Sequence, residues 1–214
     1  MSQKVILFDL DGTLTDSGEG IINSAIPVLE HFGLPVPPKS QLRSFVGPPL
    51  RDSFLKAGVS EENVEEAIRI YRSRYTTVGK FETFPYPGIP EMLIKLRQAG
   101  HRLFVASSKP EALSKEILAH FDLSQYFEEI AGATLDTSRD SKEAVIAYLL
   151  EKIPNKEHIL MVGDTKFDVL GAAVHGIPTV GVSWGYGNAE EMTCSGAIAI
   201  AQNPDELFNI LMNA

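Results

Sequence analysis

The amino-acid sequence predicts an α/β fold: a doubly wound parallel sheet with a Rossmann-like core, interrupted by an inserted all-helical domain. Three observations support this prediction. Short, continuous apolar runs that are typical of buried parallel strands recur along the chain. Helical patterns separate these runs, and one long stretch near the start contains helical patterns alone. Strands that alternate with helices indicate a parallel sheet with helices on both faces.

The elements of the sheet can be located individually. The strand-like runs are residues 5–8, 103–106, 159–162 and 179–182, with weaker candidates at 129–131 and 197–200. The helical patterns between them are residues 89–99, 111–121, 142–153 and 167–175. Gly100 and Gly176 follow two of these patterns and are typical helix stop signals.

The helical stretch is predicted to form a second, smaller domain. Its first helix covers residues 21–32, where Pro27 is expected to introduce a kink. A long helix with an acidic first turn is expected over residues 60–74. The predicted domains are an α/β core of residues 1–16 and 80–214 and a helical insert of residues 17–79.

Composition excludes several classes of protein. Of 214 residues, 44% are apolar and 22% are charged, which is typical of a globular chain rather than a disordered one. The net charge of −9 argues against a nucleic-acid partner. No apolar run approaches the roughly 20 residues that a membrane-spanning helix needs, and the first residues do not resemble a secretory signal. The single cysteine, Cys194, excludes an internal disulfide and favours a cytoplasmic location.

The strongest functional signal is a pair of aspartates directly after the first strand. Asp9 and Asp11 lie in the run DLDGTLT, residues 9–15. Residues two apart on an extended chain face the same way, so the two carboxylates are expected to project together. Their mutual repulsion would be relieved by a proton or by a metal ion. The alternative is a structural turn, because Asp-Gly is common in turns.

A second acidic motif, GDTKFD, follows the strand predicted at residues 159–162. Asp164 is expected in the loop, and Asp168 one helical turn later on the same face. Helix capping is the alternative interpretation. If the chain reverses its winding after the first strand, this motif and Asp9 meet at the switch point of the sheet, where α/β proteins bind ligands. A site of carboxylate oxygens without histidine or cysteine favours Mg²⁺ over Zn²⁺.

Two further segments could bind phosphate. Ser107 and Ser108 end another predicted strand, where hydroxyls and free amides at a helix start suit an anion. Lys142 precedes a helix and could complete a phosphate site. Taken alone, each has an ordinary explanation, a helix N-cap for the serines and a solvated surface residue for the lysine.

Together these residues resemble the haloacid dehalogenase superfamily of phosphohydrolases. The resemblance covers nearly the whole chain and is specific at residues 9–15 and 163–168, with Ser107 and Lys142 in the expected order and spacing. It implies that the helical insert is a cap domain. Residues 9–18, 45–49 and 107–110 are most similar to the phosphoglycolate phosphatase group.

The resemblance also implies roles for individual residues. Asp9 is the expected nucleophile and a metal ligand. Asp11 is the expected general acid and base, with its main-chain carbonyl on the metal. The expected cofactor is Mg²⁺. The remaining implied roles are phosphoryl binding by Ser107 and Lys142, metal binding by Asp164 and Asp168, and substrate contacts by Thr13 and Ser108.

The substrate is less well determined than the reaction. The expected partner is a small phosphorylated metabolite, with phosphoglycolate as the first candidate, acted on by a monomer or a homodimer. The segment after Lys142 departs from the phosphoglycolate phosphatase pattern, so a nucleoside monophosphate or a sugar phosphate stays open. Arg43 and Arg51 could bind a substrate carboxylate or second phosphate, or could be solvated surface residues. A sugar-phosphate mutase, a phosphoacceptor receiver domain and a catalytically silent binding protein are the remaining alternatives.

Overall fold

The computed structural model describes residues 3–134, 136, 138–154 and 156–214. The chain divides into two compact units, one of residues 1–15 and 85–214 and one of residues 16–84. The chain passes between the units in the short strands β2 (Thr15–Asp16) and β3 (Phe84–Pro85), which pair with each other. No helix in the described ranges is long and apolar enough to cross a membrane.

The α/β unit is built on a parallel sheet of six strands. These are β1 (Val5–Phe8), β4 (Arg102–Pro110), β5 (Glu129–Ala133), β6 (Ile159–Gly163), β7 (Thr179–Val182) and β8 (Ala199–Ala201). Their order is β5-β4-β1-β6-β7-β8, so β1 lies between β4 and β6. The chain winds one way from β1 to β5 and the other way from β6 to β8. This arrangement confirms the predicted doubly wound α/β fold and puts the switch point between β1 and β6.

Helices cover both faces of this sheet, which is why its central strand is apolar throughout. The helices are α5 (Ile89–Gln98), α6 (Glu111–His120), α7 (Lys142–Lys152), α8 (Lys166–Ala173), α9 (Ala189–Cys194) and α10 (Pro204–Asn213). Ile6 and Phe8 of β1 pack into one core with residues of α5 and α10. Val5 and Leu7 point to the opposite face and pack with residues of α7 and α8. Successive residues of a strand alternate between faces, so β1 supplies both cores.

The helical unit contains α1 (Gly18–His31), α2 (Lys39–Leu42), α3 (Leu50–Lys56) and α4 (Val64–Tyr75). Helix α1 continues through Pro27 to His31. Buried aromatic rings of Phe45, Phe54, Tyr71 and Tyr75 pack in series at its centre.

The helical unit begins at Asp16, one residue before the predicted boundary, and differs more from the sequence expectation at the start of α4 and at its own end. Helix α4 begins at Val64 rather than at residue 60, because Ser60 accepts a hydrogen bond from the Asn63 amide and closes a turn there. The unit ends at Phe84 rather than at residue 79. Glu82 is bound to both long helices, since its carbonyl accepts from the Gly20 amide and its carboxylate pairs with Arg74. That this unit acts as a cap stays a prediction.

Candidate active site

The candidate site lies at the carboxyl ends of the central strands. Asp9 follows β1 directly, Asp164 follows β6, and Ser107 lies near the end of β4. These strands are neighbours in the sheet, so the loops that follow them emerge at the same edge. Lys142, the first residue of α7, reaches the same place through its side chain.

Three buried aspartates form an acidic cluster here. Asp9, Asp164 and Asp168 each offer a carboxylate oxygen, and these oxygens lie within 4.8 Å of one another. The residues are only 8%, 1% and 0% exposed, respectively. Buried carboxylates are strongly disfavoured unless a cation or a proton compensates them.

Lys142 supplies part of that compensation. Its Nζ lies 2.7 Å from Asp9 Oδ1 and 2.8 Å from Asp168 Oδ1, and it donates a hydrogen bond of 2.7 Å to the Ala106 carbonyl. Burial by itself would lower the pKa of Lys142, but the two adjacent carboxylates outweigh it and raise the pKa above its usual range. The lysine therefore stays charged, which a phosphate-binding role requires.

One lysine does not balance three carboxylates. Burial raises the pKa of Asp9 to about 6, even though Lys142 acts in the opposite direction. Burial and then the charges of Asp168 and Asp9 raise the pKa of Asp164 to about 8. Oxygen donors with surplus negative charge fit a hard divalent cation, which would take the place of the proton on Asp164. The donor set of the cluster could therefore hold a metal ion.

Asp168 both caps a helix and belongs to the acidic cluster, the two alternatives that the sequence left open. Its Oδ2 accepts hydrogen bonds from the Thr165 amide at 3.0 Å and the Thr165 hydroxyl at 2.9 Å, which forms a capping box at the start of α8. Its Oδ1 meanwhile faces Lys142. The cap fixes the orientation of the carboxylate within the cluster.

Asp11 lies beside the cluster, but its side chain has a different partner. Asp11 Oδ1 accepts a hydrogen bond of 2.6 Å from Nζ of Lys109, whose side chain is 5% exposed. The metal role expected for Asp11 involved its main-chain carbonyl, and that role stays a prediction. Sequence analysis did not single out Lys109, although its place at the end of a strand beside Ser107 was a usable signal.

The remaining predicted residues of the α/β unit differ in exposure. Ser107 is buried, and its Oγ accepts a hydrogen bond of 3.2 Å from the Lys109 amide, whereas Ser108 is exposed. Thr13 is fully buried, and its hydroxyl donates to Asp164 Oδ1 at 3.5 Å. Thr13 therefore contacts the acidic cluster itself, while Ser108 is open to solvent.

The two candidate arginines belong to the helical unit. The Arg51 guanidinium donates to Glu61 and to Glu65, each at 2.6 Å, on the exposed surface of that unit. Arg43 is exposed in the turn after α2. Arg51 is thus already paired within its own unit, which argues against its contact with substrate, whereas substrate contact by Arg43 stays a prediction.

The loop after β7 is a part of the site that sequence analysis missed. The Tyr186 amide donates a hydrogen bond of 2.8 Å to Asp164 Oδ2, and Trp184 Nε1 donates one of 3.1 Å to the Thr13 carbonyl. The available signal was the segment WGYG at the end of a strand. Lacking charged residues, it gave no chemical reason to be chosen.

Comparison with known proteins places the chain in a family. The family model described as haloacid dehalogenase-like hydrolase matches residues 6–182. A solved structure of a predicted phosphatase from Clostridium acetobutylicum is 41% identical, covers 100% of both chains, and superposes with a TM-score of 0.94.

Three relatives that are similar to most of this chain carry the names of enzymes. A tyrosine-protein kinase, PtkA, from Mycobacterium tuberculosis is 45% identical over 98% of this chain and 73% of that protein. A 5′-nucleotidase from Pseudomonas aeruginosa is 42% identical over 87% of this chain and 86% of its own length. A phosphoglycolate phosphatase from Aquifex aeolicus is 35% identical over 86% of each.

These findings confirm the predicted enzyme class, a phosphatase, and the predicted superfamily. The family match spans most of the α/β unit and the whole helical unit, from residue 6 to residue 182. The similarity to the solved phosphatase structure extends over the complete chain. A match of this extent, together with relatives well above 30% identity, shows that the chain belongs to the haloacid dehalogenase-like hydrolases.

Proposed function

We propose that this protein is a Mg²⁺-dependent phosphatase that hydrolyses a small phosphate monoester through an aspartyl-phosphate on Asp9. The observation that carries the proposal is the buried group in which Lys142 bridges Asp9 and Asp168 beside Asp164. A nucleophilic carboxylate and a phosphate dianion repel each other, so cations must lie close to both groups. The acidic cluster has one fixed cation, Lys142, and a donor set for a metal ion.

In the first half of the reaction, a carboxylate oxygen of Asp9 forms a bond to phosphorus, and the bond from phosphorus to the ester oxygen breaks. Asp11 gives its proton to the departing oxygen. In the second half, water attacks phosphorus, the bond to Asp9 breaks, and Asp11 receives the proton of the water. Two smaller barriers thus replace one large barrier.

The other residues of the site bind and orient the phosphoryl group. Lys142 would pair with its oxygens, and the buried Ser107 hydroxyl would donate a hydrogen bond. Asp9, Asp164 and Asp168 would hold Mg²⁺, which when bound neutralises negative charge on the phosphoryl group. Lys109 contacts Asp11 at 2.6 Å, and this contact supports a fixed orientation for the Asp11 carboxyl group.

Two substrates are proposed. Phosphoglycolate is the ester that the sequence motifs predict, and a relative with 35% identity carries that activity in its name. A nucleoside 5′-monophosphate is the second candidate, supported by the relative named 5′-nucleotidase, which is 42% identical. The lone exposed cysteine is compatible with a cytoplasmic location, where both esters would be encountered.

A different fate of the aspartyl-phosphate is the main alternative. Transfer to a hydroxyl instead of water would make the protein a sugar-phosphate mutase. Transfer to the hydroxyl of a protein tyrosine would make the protein a kinase, which is the activity in the name of the 45% identical relative. A mutase would differ from a hydrolase in the phosphoryl acceptor alone, whereas a kinase would also differ in the donor, which would be ATP with ADP as the leaving group.

The test is phosphate release from phosphoglycolate, nucleoside 5′-monophosphates and sugar phosphates, with Mg²⁺ and with a chelator. Wild-type protein is compared with Asp9→Asn and with Asp205→Asn, a matched change at an exposed residue of α10. We expect Mg²⁺-dependent release from wild-type and Asp205→Asn protein and none above background from Asp9→Asn.

Several outcomes would overturn parts of the proposal. Release that persists in Asp9→Asn would exclude the aspartyl-phosphate route. Full release in the presence of chelator would exclude the metal. Isomerised sugar phosphate without free phosphate would identify a mutase, and transfer of phosphate from ATP to a tyrosine peptide would identify a kinase.

A further inference from the structure

The loop after β7, residues 183–188, has no charged side chain, yet it contacts two parts of the site. The Tyr186 amide donates to Asp164 Oδ2 at 2.8 Å. Two residues earlier, the Trp184 indole donates to the Thr13 carbonyl at 3.1 Å. A single short loop thereby joins the segment after β1 to the segment after β6.

The glycines of this loop are needed for its close approach. A methyl group at Gly185 would collide with the carboxylate of Asp164 and with the Gly12 carbonyl oxygen. A methyl group at Gly187 would collide with the main-chain carbonyl of Asp164. Only glycine lets backbone pack against a side chain this tightly. The loop therefore fits around Asp164 on two sides.

The base of the loop is anchored away from the site. Ser183 donates its amide to the Ala201 carbonyl at 3.0 Å and its hydroxyl to the Gln202 side chain at 2.8 Å. The ring of Trp184 meets Tyr86 edge to face, at a centroid distance of 6.4 Å. These contacts hold the loop in place independently of Asp164.

We propose that residues 184–187 are a positioning loop that presets Asp164 for a divalent cation. The inference rests on the Mg²⁺ site of the proposed function. The Tyr186 amide fixes one carboxylate oxygen, and the backbone at Gly185 packs closely against the same carboxylate. Partners that orient metal ligands in this way typically contribute about 10–100-fold to metal affinity.

The test is the dissociation constant of Mg²⁺ measured by titration calorimetry without substrate, so that catalysis does not enter. Gly185→Ala is expected to weaken Mg²⁺ binding about tenfold or more, because its methyl group displaces the Asp164 carboxylate. Gly181→Ala is the matched control. Its methyl group would meet Ile200 and Met192 in the core, so it should lower stability and leave the Mg²⁺ constant unchanged.

A second pair of variants decides the matter if Gly185→Ala does not fold. Trp184→Phe keeps an aromatic ring but removes the donor to Thr13, and is expected to weaken Mg²⁺ binding about two- to tenfold, the worth of one hydrogen bond. Thr193→Ala is the control, because it removes a hydrogen bond to the Ala189 carbonyl that lies within α9, outside this loop. It should bind Mg²⁺ as wild type does.

The single tryptophan gives a second readout. Its fluorescence should change on Mg²⁺ addition to wild-type protein and saturate with the calorimetric constant. Mg²⁺ constants of Gly185→Ala and Trp184→Phe within twofold of wild type would overturn the inference, as would equal weakening in the two controls. Wild-type protein that binds Mg²⁺ but hydrolyses no ester would instead overturn the proposed function and leave this inference standing.

Discussion

An ion cluster in the α/β unit and an ion pair in the helical unit lie in opposite environments. In the α/β unit, the side chains of Lys142, Asp9 and Asp168 form a contiguous ion cluster and are 5%, 12% and 0% exposed. In the helical unit, Arg51 pairs with Glu61 at a similar distance, but these side chains are 46% and 74% exposed. Similar ion-pair geometry thus occurs in two very different dielectric environments.

This difference indicates what each set of charges is for. Removing two charges from water commonly costs more than their attraction returns, so a buried ion cluster is weak evidence of stabilisation. Exposed pairs contribute little in either direction. The buried cluster is best explained by chemistry, since it holds a nucleophile, a fixed cation and metal ligands together. The exposed pairs are best explained as solvated surface.

Removal of Lys142 from the buried cluster should lower the free energy of unfolding more than any other change proposed here. Lys142→Met leaves Asp9 and Asp168 buried without their shared cation. We expect the free energy of unfolding to fall by about 3–5 kcal/mol, measured by urea denaturation, with phosphatase activity lost. Lys152→Met is the matched control. It removes another lysine of α7, one that is exposed and pairs with Glu129 of β5. A Lys142→Met protein as stable as this control would refute the proposed electrostatic cost.

The pH dependence of stability should sharpen the same point. The folded-state pKa of Asp164 is raised to about 8, above an unfolded value of about 4, so the folded state retains a proton that the unfolded state has lost. Stability of the metal-free protein should therefore fall as pH rises through the window from about 4 to about 8. The raised pKa of Asp9, about 6, acts in the same direction over the lower part of this window.

This pH effect can be measured by thermal denaturation in chelator. We expect a lower melting temperature at pH 8.5 than at pH 6.5 for wild-type protein, a smaller difference for Asp164→Asn, and an unchanged difference for Asp205→Asn. Saturating Mg²⁺ should reduce the wild-type difference, because the cation replaces the proton. Metal-free protein that is more stable at pH 8.5 would contradict the prediction.

The sequence allowed the fold and the location of the acidic cluster to be predicted for definite physical reasons. A strand that is buried on both faces must be apolar throughout, which made residues 5–8 and 159–162 recognisable. Parallel strands end at one edge, so aspartates that follow two such strands could be expected to meet. Asp168 shows the limit of this reasoning, because capping and a place in the cluster were alternatives in the sequence and coexist in the structure.

The contacts between residues that are distant in sequence could not be predicted. Lys109 and Asp11 are 98 residues apart in sequence, and although the strand end beside Ser107 pointed Lys109 to the site, nothing in either segment identified the other residue as its partner. The Tyr186 amide is a backbone donor, so its contact with Asp164 has no signature in residue type. Arg51 was a candidate for substrate binding because its glutamate partners, on a neighbouring helix and turn, were not evident from its own segment.

A half-buried ion pair in the helical unit is intermediate in exposure between the buried cluster and the exposed pairs, and its effect on stability should be intermediate too. Arg74 donates two hydrogen bonds of 2.8 Å to Glu82, and their side chains are 30% and 26% exposed. The hydrogen bonds from Arg74 lower the pKa of Glu82. After allowance for solvent screening, we expect Arg74→Met to cost about 1–2 kcal/mol of unfolding free energy. Arg69→Met, which removes an exposed pair with Glu66, is the control and should cost less.

The smallest effect is expected at Arg51, and it bears on function as well as stability. Arg51→Gln removes two exposed ion pairs and should change the free energy of unfolding by no more than about 0.5 kcal/mol. Because its guanidinium is already occupied by Glu61 and Glu65, we also expect the KM for the preferred ester to stay unchanged. A clear rise in KM, with kcat and stability intact, would mean that Arg51 exchanges its glutamates for the substrate. Surface charge in the helical unit would then serve binding, and the contrast between the two units would hold for stability alone.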